Sequence, residues 1–429
     1  LLSEYSLKQR LLFTIGPGLL MAGAAVGVSH LVQATRAGAD YGFSLFWLLL
    51  LAIISKYPFM EFGPRYAAAT GEHLIEGYRR LGKTSYISYI GITFGTMFII
   101  HAAVTVVSAG LAEQLFGTGW SPFVWSGIIL GSCVILLLLG RYPGLDLSMK
   151  VIITLLTLAT LVAVVMALGA GTAADVVRTE APSYWNAAGL AFIIAFMGWM
   201  PIPLDAAVWH SIWAKERCRQ TRYRPNISEA RVDFNIGYGA AGFIGILFFM
   251  LGALVMFGSG ISFASGSVGF SAQLIELYSQ TLGSWSAPLI SVAAFITMFS
   301  TTLAVTDAYP RVLSELWMMM RRAPGSGQGS ENRQAYQLKV YQAFLPVVAL
   351  CALLVLYYLS EQFTFLIDLA AGISFLAAPV LGWFNYRLLT SKHTPEADQP
   401  GHAYRLFSLV CFSFLVLFTL VWAYWTFLA

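Results

Sequence analysis

Apolar residues in this chain come in near-continuous blocks, without the alternation of half-buried strands or the three-and-four spacing of surface helices. Windows of roughly 20 apolar residues, the length that crosses a hydrocarbon core of about 30 Å, recur at 11–36, 42–63, 86–116, 123–139, 151–170, 185–213, 234–257, 287–309, 340–359, 363–387 and 406–427. The pattern predicts eleven membrane-spanning α-helices and no strand.

Two of these blocks are interrupted where a spanning helix should be most uniformly apolar. The first, from Gly16 to Trp47, carries glycines and a polar Ser29-His30 pair near its middle, with Gly27 just before it. The second, 185–213, contains Gly198-Trp199-Met200-Pro201-Ile202-Pro203-Leu204-Asp205. Unwound backbone at membrane depth is tolerated only where protein or a cavity satisfies it. Two such breaks in corresponding places of two halves mark the substrate site of an inverted-repeat transporter. Spans one to five (1–170) and six to ten (185–387) pair as halves of opposite orientation, and 404–429 adds an eleventh span.

Composition agrees. With 58% hydrophobic and 11% charged residues over 429 positions and a mean hydropathy of +0.71, there is too little polar surface for a soluble globule. Glu4, Lys8 and Arg10 lead directly into the first block with no small-residue cleavage site, so the first span is expected to be retained. With the amino terminus inside, 22 of the 25 Lys and Arg fall in inside segments and only Arg36 and Arg178 outside, which predicts a multi-pass plasma (inner) membrane protein with a cytoplasmic amino terminus. The net charge of +4 follows from those loops and does not point to nucleic acid.

Cys133, Cys218, Cys351 and Cys411 show no metal-ligand spacing and are expected as free thiols. Residues 323–330 read as a flexible linker. Residues 270–282 have helical apolar spacing that suits a helix lying on the membrane surface. Asn226-Ile227-Ser228 is a sequon on an inside loop and would carry no glycan.

Ionisable groups inside spans are costly and need a partner, a cavity or a function. Asp205, just after the Pro201/Pro203 break, either faces a solute beside free carbonyls or caps the second half-helix. His30 at the first break either joins the site with Ser29 or bonds a neighbouring span's carbonyl. The expected substrate-binding set is Gly27, Ser29, His30, Met200, Ile202 and Asp205. His101, mid-span, and Asp368, which lacks a local cation, are the proton-relay candidates, His101 alternatively being a polar strut. Asp307 is expected to pair with Arg311 and Glu61 with Arg65, Lys56 to snorkel near the inside face, and His210 to anchor at an interface. No phosphate-binding glycine loop, His-Glu-x-x-His or nucleophile elbow occurs, so neither an enzyme nor a cofactor is expected.

The run Gly16-Pro17-Gly18, then Ala37-Gly38-Ala39-Asp40-Tyr41-Gly42 and Phe46-Trp47, resembles the first two spans of the Nramp family of proton-coupled divalent-metal transporters; Gly198, Ile202-Pro203-Leu204-Asp205 and Trp209-His210-Ser211 add to the likeness. The resemblance implies an all-α integral membrane fold of the LeuT type, a 5+5 inverted repeat plus one helix with helices 1 and 6 discontinuous. It also implies a metal cation moved by secondary active transport, in symport with protons. Where the family has Asp-Pro-Gly-Asn, whose Asp and Asn ligate the metal, this chain has Gly27-Val28-Ser29-His30. Where it has Met-Pro-His, this chain has Ile202-Pro203-Leu204. A related branch that takes magnesium keeps oxygen ligands in the first span, which this chain also lacks. His101 falls near the acid the family uses in proton transfer. The cargo expected is therefore a small solute or cation: a metal by family default, a non-metal polar solute on the residues themselves. A transporter-like sensor or scaffold that moves nothing is the remaining alternative.

Overall fold

The computed structural model describes residues 6–140, 142–169, 180–321 and 330–427. Helices account for the regular secondary structure, with no strand among the described residues. In chain order they are α1 (Leu7–Thr14), α2 (Pro17–Ala25), a π-helical turn (Ser29–Ala34) continuing as α3 (Thr35–Tyr41), α4 (Phe46–Thr70), α5 (Leu74–Leu81), α6 (Lys83–Phe116), α7 (Pro122–Leu138), α8 (Tyr142–Gly169), α9 (Ala187–Trp199), α10 (Ala206–Thr221), α11 (Ile227–Val255), α12 (Ser267–Leu282), α13 (Ser286–Met320), α14 (Ser330–Leu359), α15 (Phe363–Leu389) and α16 (His402–Phe427).

Among the described residues seven helical stretches are long and apolar enough to cross a membrane, and 122–138, 153–169 and 187–199 are shorter apolar helices. The breaks account for part of the difference from eleven uniform spans. At the first, α2 ends at Ala25 and winding resumes as a π turn at Ser29. At the second, α9 stops at Trp199 and α10 starts at Ala206. The first block also begins later than its apolar window, because Ile15 and Gly16 separate α1 from α2.

Small residues set the packing, as expected where lipid gives helices no hydrophobic reason to associate. A Cβ on Gly18 would lie 2.1 Å from Asp233 O, and one on Gly237 2.0 Å from Gly18 O. Beyond the break, a Cβ on Gly38 would lie 2.0 Å from Phe249 O, and one on Gly252 2.1 Å from Thr35 O. These two crossings hold both halves of the first interrupted helix against α11. A third, Gly198 against Ala371 O at 2.0 Å, brings the end of α9 onto α15.

Residues 270–282 fall in helix α12, one face of which packs on the bundle: Phe270, Leu274, Ile275, Leu277 and Tyr278 are buried, and a Cβ on Gly110 of α6 would reach Ser267 O at 2.5 Å. Asn226 is the N-cap of α11, accepting from the Glu229 N–H. The four cysteines are free thiols. The linker at 323–330 lies outside the described residues except for Ser330, which opens α14.

Candidate solute site at two broken helices

The two breaks meet. Ser29 Oγ lies 3.4 Å from Pro201 O, and one cavity is lined by Ala25, Ser29, Trp199, Ile202, Trp209 and Thr301. Of the residues expected to bind the solute, Ser29 and Ile202 line this space, whereas Gly27, His30, Met200 and Asp205 are not part of its lining. Part of the backbone freed by the interruptions is served by Thr301 of α13, whose hydroxyl is 3.1 Å from both Gly23 O and Val26 O. Gly27 packs on the same threonine: a Cβ there would come within 2.6 Å of Thr301 Oγ1.

His30 is fully buried. Its Nε2 donates to Ala241 O of α11 at 2.8 Å, and its Nδ1 lies 2.7 Å from Ser29 Oγ. That hydroxyl is also 2.7 Å from Ala25 O. Both ring nitrogens are engaged by the protein, and the bond to a neighbouring helix is the alternative foreseen for this residue. Met200 is buried beside it, since a Cβ on Gly245 of α11 would meet Met200 Sδ at 2.8 Å and His30 Cδ2 at 3.6 Å.

Asp205 stands at the N-cap position of α10, but its side chain makes no capping hydrogen bond. Its Oδ2 is 3.5 Å from the Tyr309 hydroxyl, and its Oδ1, closed off from solvent, has no partner among the described residues. An orphaned carboxylate oxygen in a low-dielectric interior costs several kcal/mol of lost solvation, on the order of a lost charged hydrogen bond or more. Such an atom waits for a donor.

The residue that sequence reasoning missed is Lys56. Far from snorkelling, it is fully buried on α4, and its Nζ donates to Gly198 O at 2.7 Å and Ile202 O at 3.2 Å, straddling the second break. Asp205 is within electrostatic reach. Tyr309 was missed too, being remote from any local motif. A lysine in the middle of an apolar window was the available signal for the first; none existed for the second.

The other expected residues lie apart from this centre. His101 donates to or accepts from Thr306 Oγ1 at 2.9 Å, and its Nδ1 is buried without a partner. Its neighbour Ile100 and Thr306's neighbour Val305 line the cavity, which places His101 one layer behind the wall. Asp368 is not without a cation: Arg36 of α3 binds it at 2.8 and 3.3 Å and Gln33 at 2.9 Å, while Arg36 also lies over the Phe192 ring of α9 at 5.1 Å. This cluster ties three helices together beyond the site. Near the other end of the same interrupted helix, Asp233 of α11 accepts from the Gly16 and Gly18 amides at 2.9 and 2.7 Å, a carboxylate placed on the positive end of α2. His210 is correspondingly buried, 3.5 Å from Asp233 Oδ2, and is no interface anchor. The local pairs hold: Arg311 with Asp307 at 2.6 Å and Arg65 with Glu61 at 2.9 Å.

Among the described residues no three His, Cys, Asp or Glu side chains converge to hold a metal ion. A cation here would depend on carbonyls, Ser29 and Asp205.

A family model described as natural resistance-associated macrophage protein-like (Nramp) matches residues 18–424. The uncharacterized protein PM0681 of Pasteurella multocida is 36% identical over 380 residues, covering 87% of this chain and 84% of that protein. The metal transporter Nramp2 of Populus trichocarpa is 32% identical over 141 residues, 32% of this chain and 26% of that protein. Among solved structures, a manganese transporter of Eremococcus coleocola (a mutant form) superposes with a TM-score of 0.70 at 17% identity, covering 98% of this chain and 87% of that one. MhsT in complex with L-phenylalanine follows at 0.63 and 14%, covering 96% and 98%. At these identities the likeness is one of fold. With a family model spanning nearly its whole length and a relative aligned over most of both chains, this all-α membrane protein belongs to the Nramp family of transporters.

Proposed function

We propose that this protein is a secondary active transporter that moves a small cation across the membrane by alternating access around the breaks at Gly27–His30 and Met200–Asp205. The observation that carries the proposal is the Asp205 Oδ1 atom, buried at the end of the unwound segment 200–205 and without a hydrogen-bond partner among the described residues. Half-helix ends and freed carbonyls bind cations in such folds. The related plant proteins are named metal transporters and the similar solved structure is a manganese transporter, which supports a metal as the cargo. Gly27, Ser29, Met200, Ile202 and Asp205 form the site, with His30 holding Ser29 and the π turn in place. Loop charge supports eleven spans with a cytoplasmic amino terminus, in an inverted arrangement of 1–170 and 185–387 with 404–429 added. His101, with a free buried nitrogen behind the cavity wall, is the group we assign to proton movement.

The test is uptake of manganese and magnesium into liposomes holding the purified protein, with and without a proton gradient. Saturable uptake of either ion supports the proposal. The absence of uptake above empty liposomes, from folded protein, sinks the metal reading. It would favour the second reading, a non-metal polar solute, for which the lack of three converging His, Cys, Asp or Glu side chains among the described residues speaks.

The Arg36–Asp368–Gln33 cluster closes the outer side in this proposal. In a background without the native cysteines, Asp368→Asn is expected to raise labelling of Ser29→Cys by a membrane-impermeant thiol reagent added outside, by about tenfold or more. An unchanged rate would show that the cluster closes nothing.

A further inference from the structure

The second break already holds a positive charge that belongs to the chain. Lys56 comes from a different helix, α4, and is sealed from solvent, yet its ammonium does not face the Asp307 or Glu61 clusters that pair the other cations of the interior. It reaches Gly198 O and Ile202 O, one carbonyl in the last turn of α9 and one within the unwound segment. Gly198 O belongs to the last turn of α9, where carbonyls lack intrahelical donors and the helix dipole is negative. Two converging carbonyls with a carboxylate in electrostatic reach are the hard-oxygen surroundings that a partly dehydrated cation needs. The lysine supplies the cation instead.

The charges that neighbouring elements bring to α4, Arg231 on Glu61 at 3.3 Å and Arg224 on Ala68 O at 2.9 Å, meet it further along than Lys56. From α11 the Tyr238 hydroxyl reaches Ile53 O, from α16 Cys411 approaches Ile54 O, and from α15 Asn385 donates to Phe59 O. All are neutral polar groups serving backbone. The Tyr309 hydroxyl is directed to Asp205 Oδ2, at 3.5 Å. Asp205 is the carboxylate within electrostatic reach of Lys56.

We propose that the Lys56 ammonium is a resident occupant of the cation seat in the second break, a competitor that a cargo cation must displace from Gly198 O and Ile202 O before it can bind. The proposal rests on the reading of the break as a cation site and specifies what keeps that seat filled when no cargo is present. With Lys56 in place, Asp205 is balanced; a divalent ion entering beside the ammonium would meet two like charges in a medium of low dielectric, so binding requires the side chain to swing away. A purely structural lysine, capping α9, predicts the opposite sign: removing it would loosen the break and weaken binding.

The experiment is equilibrium binding of radioactive manganese(II) to the purified full chain in detergent, compared with Lys56→Met, which keeps length and volume without charge. Lys56→Gln, which keeps a donor for Gly198 O, serves where the methionine variant is not monodisperse. The expected result is about a hundredfold tighter binding by the neutral variant. Equal or weaker binding by the variant overturns the role of Lys56 while leaving cation transport standing. Binding by the variant alone, with no manganese uptake by the native chain, upholds the role of Lys56 and removes manganese as the native cargo. No binding by either protein overturns both.

Discussion

Asp205→Ala is expected to abolish solute uptake in liposomes, by at least about a hundredfold, and to lower the stability of the folded protein as well. The flux effect follows from the loss of the one carboxylate whose unpartnered oxygen faces the break. The stability effect has a different origin. Asp205 and Lys56 are the two opposite charges of this buried centre, and removing the acid leaves the ammonium with carbonyl dipoles alone. Stranding one buried charge costs more than removing both. The double variant Lys56→Met/Asp205→Ala is therefore expected to unfold at a higher temperature than Asp205→Ala, with a coupling of about 1–3 kcal/mol. Thermal unfolding of the four proteins of this cycle in detergent measures it. Additive effects would mean that the two groups do not sense each other, and the electrostatic account of the site would fall.

Gly237→Val is expected to be the most damaging single change away from the site. The position has no room: even a Cβ would lie 2.0 Å from Gly18 O and 2.6 Å from Gly18 C. Backbone cannot yield as a flexible side chain does, so α2 must separate from α11. That separation also pulls the Gly16 and Gly18 amides from Asp233. Overpacking costs about 1–3 kcal/mol in a core that can adjust, and the lost amide–carboxylate bonds add about 1.5–3 kcal/mol each. The expected outcome is loss of monodisperse protein on size exclusion. Gly239→Val, two residues along α11 and facing open space, should behave as the native chain does. Equal behaviour of the two variants would show that this helix crossing is not under steric control.

Gly, Pro and apolar blocks are local signals, and the features they encode were legible without coordinates. The break at Gly27–His30 could be read because Ser29 and His30 interrupt a lipid-length apolar run. The break at Met200–Asp205 could be read because prolines remove backbone donors at fixed positions. Pairings four residues apart on one helix, such as Asp307 with Arg311, were legible for the same reason. Partners across the bundle were not. Asp368 looked isolated because its cation, Arg36, is 332 residues away. His210 looked like an interfacial anchor because its tryptophan neighbours are visible in sequence and Asp233 is not.

By itself, then, the order of residues determined the all-helical membrane class, the places where helices must break, and the family likeness carried by motifs at those breaks. Tertiary structure decided what fills the breaks: Lys56 on Gly198 O and Ile202 O, Thr301 on Val26 O, Ala241 O on His30, and no donor among the described residues on Asp205 Oδ1. The physical reason is that a membrane-length apolar run specifies length and depth, whereas lipid tails and neighbouring helices are equally apolar. Which face of a helix turns inward, and which carbonyl a buried charge meets, is left to packing against helices far away in the chain.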